Sequence, residues 1–186
     1  MRQYSRNRNI SMNDPDKLLY GGIHWIVSVF MALYAFFSTK NPFDYLYLYI
    51  MMFVIISWTC YNGECIFSYW IKHEENPKYE AGQATNEAGD LVLVRDYQEM
   101  INTVLFIGQC ITCIGMYIVF TRNHVSKLIS IPTVLTYIIY KVVTRLNEDH
   151  SRNTLFLEVQ SISQAIMLGM ITVFTGVNIL SKVGSH

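Results

Sequence analysis

From Phe43 to Ile71 the chain is an almost unbroken apolar run. About 20 residues suffice to cross a bilayer, so this run is too long for one straight crossing. It must tilt, bend or project beyond the membrane. Asn62-Gly63-Glu64 is the natural bend or interface crossing, and Asn76-Pro77 ends the helix because proline cannot continue it. Four further apolar runs accompany it: Ile23 to Ser38, Ile101 to Phe120, Val125 to Val143 and Thr154 to Leu180. The first is short and borrows length from Leu18–Tyr20. It turns at Thr39-Lys40-Asn41-Pro42. In the fourth run Pro132 sits near the start, where a helix tolerates proline.

The expected fold class is therefore all-α: a polytopic helical membrane protein with about five transmembrane helices. Residues 1–20 read as a polar N-terminal arm, 21–71 as transmembrane helices 1 and 2, 72–99 as a polar loop and 100–182 as helices 3 to 5. Asn13-Asp14-Pro15-Asp16 carries a helix-start or turn signal. In the loop, acids outnumber bases seven to three, and Leu91–Val94 after Asn86–Asp90 reads as a strand of a small β-hairpin. The long polar lead before the first run does not fit a cleavable signal, so that run is expected to stay as an anchor.

Charge and composition narrow the function classes. Charged residues make up 15 % of the chain, against about a quarter in an ordinary soluble domain. The formal net charge is +0. Nucleic-acid binding, which calls for a basic face, is not expected. With five crossings, Lys40, Arg122, Lys127 and Lys182 fall on one side and the other ten of the 14 basic residues on the opposite side. The positive-inside rule then places the N-terminus in the cytoplasm and the C-terminus across the membrane. The sequon Asn9-Ile10-Ser11 would lie on the cytoplasmic arm and stay unmodified.

In lipid, helices associate where small residues let backbones approach. Ser161, Ala165, Gly169, Thr172 and Gly176 fall at steps of three and four along the last run; Gly108, Thr112 and Gly115 do the same in the third. Both stripes read as intramolecular packing faces, and a homodimer seam is the sharper alternative.

Charges near apolar runs are costly to place and so informative. Glu64 is embedded between Cys60 and Phe67; Lys141 and Arg145 lie one turn apart at the end of the fourth run; Glu158 opens the fifth. Snorkelling accounts for the two bases, and a bridge to one of them across the short connection accounts for Glu158. Folding the first two helices about Asn41-Pro42 puts His24 near the level of Trp58, within two turns of Glu64, so His24 is a candidate partner for the carboxylate and Lys17 an equal one. A polar path through Glu158, Gln160, Gln164 and Gln109 would suit a transporter or channel. The four cysteines, Cys60, Cys65, Cys110 and Cys113, sit within or beside apolar segments. They read as small packing residues. The redox alternative rests on the Cys110-x-x-Cys113 spacing, with Cys60 and Cys65 as a second pair, but an apolar site raises a thiol's pKa when redox chemistry needs a thiolate. No metal, nucleotide or hydrolase motif occurs, so no catalytic residue, metal or cofactor is expected.

The stretch Trp58-x3-Asn62-Gly63-Glu64-Cys65, followed by Ser68 and by Asn76-Pro77-x-Tyr79, resembles small polytopic membrane proteins encoded by large DNA viruses of algae and protists, most without an assigned function. The likeness covers residues 24–82, under a third of the chain. It implies a viral protein, in the internal virion membrane beneath a capsid, and no site residues. The leading expectation is a non-enzymatic membrane protein that organises a membrane or links it to protein partners, capsid or other membrane proteins among them, with oligomer number open. A small transporter or channel is the alternative and a membrane thiol oxidoreductase the third reading.

Overall fold

The computed structural model describes residues 15–83, 98–146 and 154–183. These form six helices: α1 (Pro15–Phe37), α2 (Phe43–Cys60), α3 (Ile66–Glu75), α4 (Gln98–Arg122), α5 (Lys127–Leu146) and α6 (Thr154–Val183). The expected hairpin at 86–94, the sequon at Asn9 and the 147–153 connection lie outside the described residues. Among the described residues there is no strand.

Helix α1 begins at the expected start signal, five residues before the end of the polar arm, with Pro15 at the first helical position. Proline is favoured there because its missing N–H has no intrahelical acceptor to lose. The long second run is divided as its length demands. After α2 the backbone turns through Asn62 (φ 54°) and Gly63 (φ 89°), both in the left-handed region, and restarts as α3. Gly63 is required twice over. Besides its φ, a Cβ there would lie 2.7 Å from Thr144 Cγ2 of α5. Pro132 is accommodated as the sixth residue of α5, and the helix continues through it.

Helices α2, α4, α5 and α6 are long and apolar enough to cross a membrane, and the apolar part of α1 is shorter, Gly21–Phe37. The chain is a helical membrane protein. At 30 residues, α6 is about 45 Å long, more than a bilayer core needs.

Side-chain contacts give the directions of the helices. Arg122 reaches Ala35 and Ser38, and Gly115 lies under Ala32 and Ala35, so α1 and α4 run parallel. Helix α2 runs the other way, with Asp44 beside Arg122 and Thr59 beside Gln160. Tyr140 and Phe156 meet at one end of the α5–α6 pair, and Phe120 and Phe174 at the opposite end of the bundle. One end thus gathers the start of α1, the break after α2, helix α3, the end of α5 and the start of α6. The other gathers the α1–α2 and α4–α5 turns and the last part of α6.

The core lies between α2, α4 and α6, around Tyr47, Met52, Met116, Phe120, Met167 and Phe174. Tyr47 stacks on Tyr34 at 4.8 Å. Outward, the helices expose Ile26, Phe37, Phe53, Ile107, Ile114, Leu135, Ile162 and Leu180. A water-soluble protein would hide such side chains; a lipid-facing surface does not need to.

The two small-residue stripes have different surroundings. Gly115 packs tightly, its missing Cβ only 3.2 Å from Ala35 Cβ and 3.3 Å from the Tyr47 hydroxyl, and Thr112 is buried. Around Gly108, Gly169 and Gly176 a Cβ would meet nothing within 4 Å. Ser161, Ala165, Gly169 and Thr172 are exposed on α6.

Candidate functional site

Two polar clusters occupy opposite ends of the bundle. The first surrounds Asp44, the second residue of α2. An acid in the first helical turn is favoured by the helix dipole, but Asp44 is also fully buried, and burial of a carboxylate requires paired charge and donors. Arg122, the last residue of α4, provides them. Its Nε donates to Asp44 Oδ2 at 2.8 Å and its Nη2 to Oδ1, a two-pronged ion pair. The remaining guanidinium hydrogens reach the carbonyls of Ser38 (2.6 Å) and Ala35 (3.2 Å) and the Ser38 hydroxyl (2.8 Å), at the open C-terminal end of α1. A guanidinium suits that position, where carbonyls lack intrahelical donors.

Two more donors complete the carboxylate. The Tyr34 hydroxyl donates to Oδ1 at 2.8 Å, and Asn123 Nδ2 to Oδ2 at 2.6 Å. Asn41 Nδ2 in turn donates to the Tyr34 oxygen at 3.1 Å, while Asn41 Oδ1 accepts from the Phe43 amide. The cluster ties together α1, the α1–α2 turn, α2 and the end of α4. Buried nearby without a hydrogen bond are the Tyr47 hydroxyl and Asn123 Oδ1.

The second cluster is built on Glu64, in the break between α2 and α3. Lys72 Nζ donates to Oε1 at 2.6 Å, and both groups are buried. The Tyr79 hydroxyl sits 2.9 Å from each carboxylate oxygen, and the Gly82 amide donates to Oε2 at 3.0 Å. Asn62 Nδ2 donates to the Ala81 carbonyl at 3.0 Å. The chain after α3 is thereby folded back onto the break. Lys72 is the seventh residue of α3, not the first of a loop. Glu64 is paired with Lys72, and His24 meets Glu64's neighbour instead: His24 Nε2 lies 3.4 Å from Cys65 Sγ.

The other expected polar residues line the same end. Gln160 Nε2 donates to the Thr59 carbonyl at 2.5 Å and to Asn62 Oδ1 at 3.0 Å, bonding α6 to the end of α2, while its Oε1 is buried without a hydrogen bond. Gln164 Nε2 lies 3.4 Å from Cys60 Sγ. Lys141 Nζ sits 3.4 Å from the centroid of the Trp58 ring, and the Arg145 guanidinium 4.5 Å from that of Phe106. Glu158 is exposed. All four cysteines are free thiols; Cys60 and Cys110 are exposed, Cys65 is half-buried and Cys113 is buried in the core. Among the described residues, no group of three or more His, Cys, Asp or Glu side chains is arranged to hold a metal ion.

Of the two buried ion pairs, sequence reasoning singled out Glu64 but not Lys72, passed over Asp44, and used Arg122 only as a base on one side of the membrane. An acid one position inside a helix and an arginine at the end of another are ordinary interface residues. Their separation of 78 residues hides the pair from any local reading. Compared with family models, curated proteins and solved structures, the chain matches none.

Proposed function

We propose that this chain is a non-enzymatic multi-pass membrane protein that organises a membrane or links it to protein partners. The observation that favours this is the chemistry of the two buried carboxylates. A transporting carboxylate must exchange protons or ions, whereas Asp44 and Glu64 are each closed by a base and by additional hydrogen-bond donors. Gln160, on the candidate polar path, likewise bonds α6 to α2. Such groups hold helices and turns in place. The loop after α3 and the N-terminal arm would offer the docking surfaces, and the viral resemblance would put the partners beneath a capsid.

In this reading α1 also crosses the membrane, with the N-terminus cytoplasmic and the C-terminus opposite. Cysteines introduced at Ser5 and Val183 of a variant lacking the four native cysteines would be labelled from opposite faces; labelling from one face would refute it. The decisive experiment is reconstitution into sealed vesicles under a proton or salt gradient. The expected flux equals that of protein-free vesicles. A protein-dependent flux abolished by Glu64→Gln, with the bundle still folded, would replace this proposal with the transport reading.

A further inference from the structure

Two of the groups described above have no part in either carboxylate cluster: the Cys65 thiol and the His24 imidazole. They come from different helices and meet at one point, Sγ to Nε2 at 3.4 Å. Cys65 is the N-cap of α3 in extended conformation, so its thiol sits at a helix start whose first amides lack intrahelical acceptors. The His24 ring also packs on Phe67, centroids 5.1 Å apart, so the imidazole is held against the start of α3. Burial alone would raise the thiol's pKa; the hydrogen bond and charge of His24, with the backbone at the start of α3, outweigh it, and the thiol lies below its ordinary value. The ingredients are those of an activated sulfur nucleophile: an adjacent base, an anion-stabilising helix start and partial access.

The surroundings indicate what such a sulfur would meet. Cys65 follows a membrane-spanning helix by five residues. Next to it, α3 exposes Ile66, Phe67 and Trp70, and α1 exposes Ile23 and Val27 on either side of His24. A tryptophan and aliphatic side chains exposed together at a helix end suit the bilayer interface. A hydrocarbon chain attached at Cys65 would find an apolar surface to lie on.

We propose that Cys65, paired with His24, is a site of S-acylation that takes a long-chain acyl group from an acyl thioester. His24 receives the thiol proton. The Cys65 thiolate attacks the thioester carbonyl carbon, a new carbon–sulfur bond forms, and the bond to the donor's sulfur breaks. The departing thiolate takes the proton from the His24 imidazolium. The products are an acyl-cysteine and a free donor thiol; nothing is oxidised or reduced. An acyl chain there would hold α3 against the bilayer interface, while the spanning helices already anchor the chain.

The test is direct. Full-length protein in detergent micelles is incubated with palmitoyl-coenzyme A, and the hydroxylamine-sensitive adduct is located by mass spectrometry. The expected adduct is at Cys65, ahead of the more exposed Cys60 and Cys110. Cys65→Ser abolishes it, while the combined replacement of Cys60, Cys110 and Cys113 by Ser leaves it. His24→Gln slows it about 3–10-fold at neutral pH and moves the pH profile toward the alkaline side, since less of the thiol is ionised. The wild-type profile and the distribution over the four cysteines can be read even if a variant fails to fold. Acylation spread according to exposure, a wild-type rate that rises only at the pH of an ordinary thiol, or a folded His24→Gln protein with an unchanged profile would each overturn the proposal.

Discussion

The two buried carboxylates solve the same problem at different range. Asp44 is neutralised by a base 78 residues away, and the pair closes one end of the bundle by joining three helices. Glu64 is neutralised by a base 8 residues away and capped by groups 15 and 18 residues away. Its pair shapes the chain that leaves α2 and ties no two spanning helices together. At the Glu64 end hydrogen bonds between uncharged groups join the spanning helices: Gln160 to Thr59, and the Tyr140 hydroxyl to the Trp58 carbonyl at 3.0 Å, beside the Lys141 ammonium on the Trp58 ring. A buried charge pair is therefore not one kind of feature. Sequence separation decides whether it governs the tertiary fold or a local turn.

The comparison breaks most easily at Asp44. Asp44→Asn strands the Arg122 guanidinium and is expected to destabilise the whole bundle by about 3–5 kcal/mol, read from unfolding in mixed micelles. Asp44→Leu combined with Arg122→Met should recover most of that loss, because the cost lies in the orphaned charge. If Asp44→Asn unfolds like the wild type, the pair is not the closure of that end. Glu64→Gln comes next. It strands Lys72 at a cost of about 2–4 kcal/mol, but the loss should be local. Protease cleavage within residues 76–83 should rise well before global unfolding changes. Equal loss of both would erase the distinction between the two ends. The smallest effect concerns Glu158, whose carboxylate is exposed. A double-mutant cycle of Glu158→Gln with Lys141→Gln and with Arg145→Gln should give weak coupling, since exposed pairs are screened. Strong coupling would mean that the Glu64 end also has an ionic tie between helices, and the contrast with the Asp44 end would need redrawing.

Much of this architecture was legible in advance because lipid imposes simple demands. An apolar run from 43 to 71 exceeds one crossing, and only Asn62-Gly63 offers residues at ease with positive φ; the break is there. The extents of α4, α5 and α6 follow their apolar runs to within a few residues. What the sequence did not disclose are relations between distant positions. Nothing near Asp44 announces Arg122. Nothing near Gly115 announces that Ala35 and Tyr47 press on it, while Gly169, with the same local spacing, has open space instead. Folding about Asn41-Pro42 sets His24 near the level of Trp58, within two turns of Glu64, and its contact is Cys65, since a level along the bundle does not settle which side chain faces the partner helix.

The range of the Asp44–Arg122 pair also bears on how the protein is made. A ribosome adding about 5–20 residues per second needs on the order of 4–16 s to travel the 78 residues between them. Through most of that interval α1 and α2 are complete, and the carboxylate that will be buried has no guanidinium to meet. The nascent hairpin must keep Asp44 in contact with water or headgroups, or hold it protonated, until α4 arrives. Settling of α2 into the bilayer is thus tied to synthesis of α4, and the order of assembly is written into the distance between two charges.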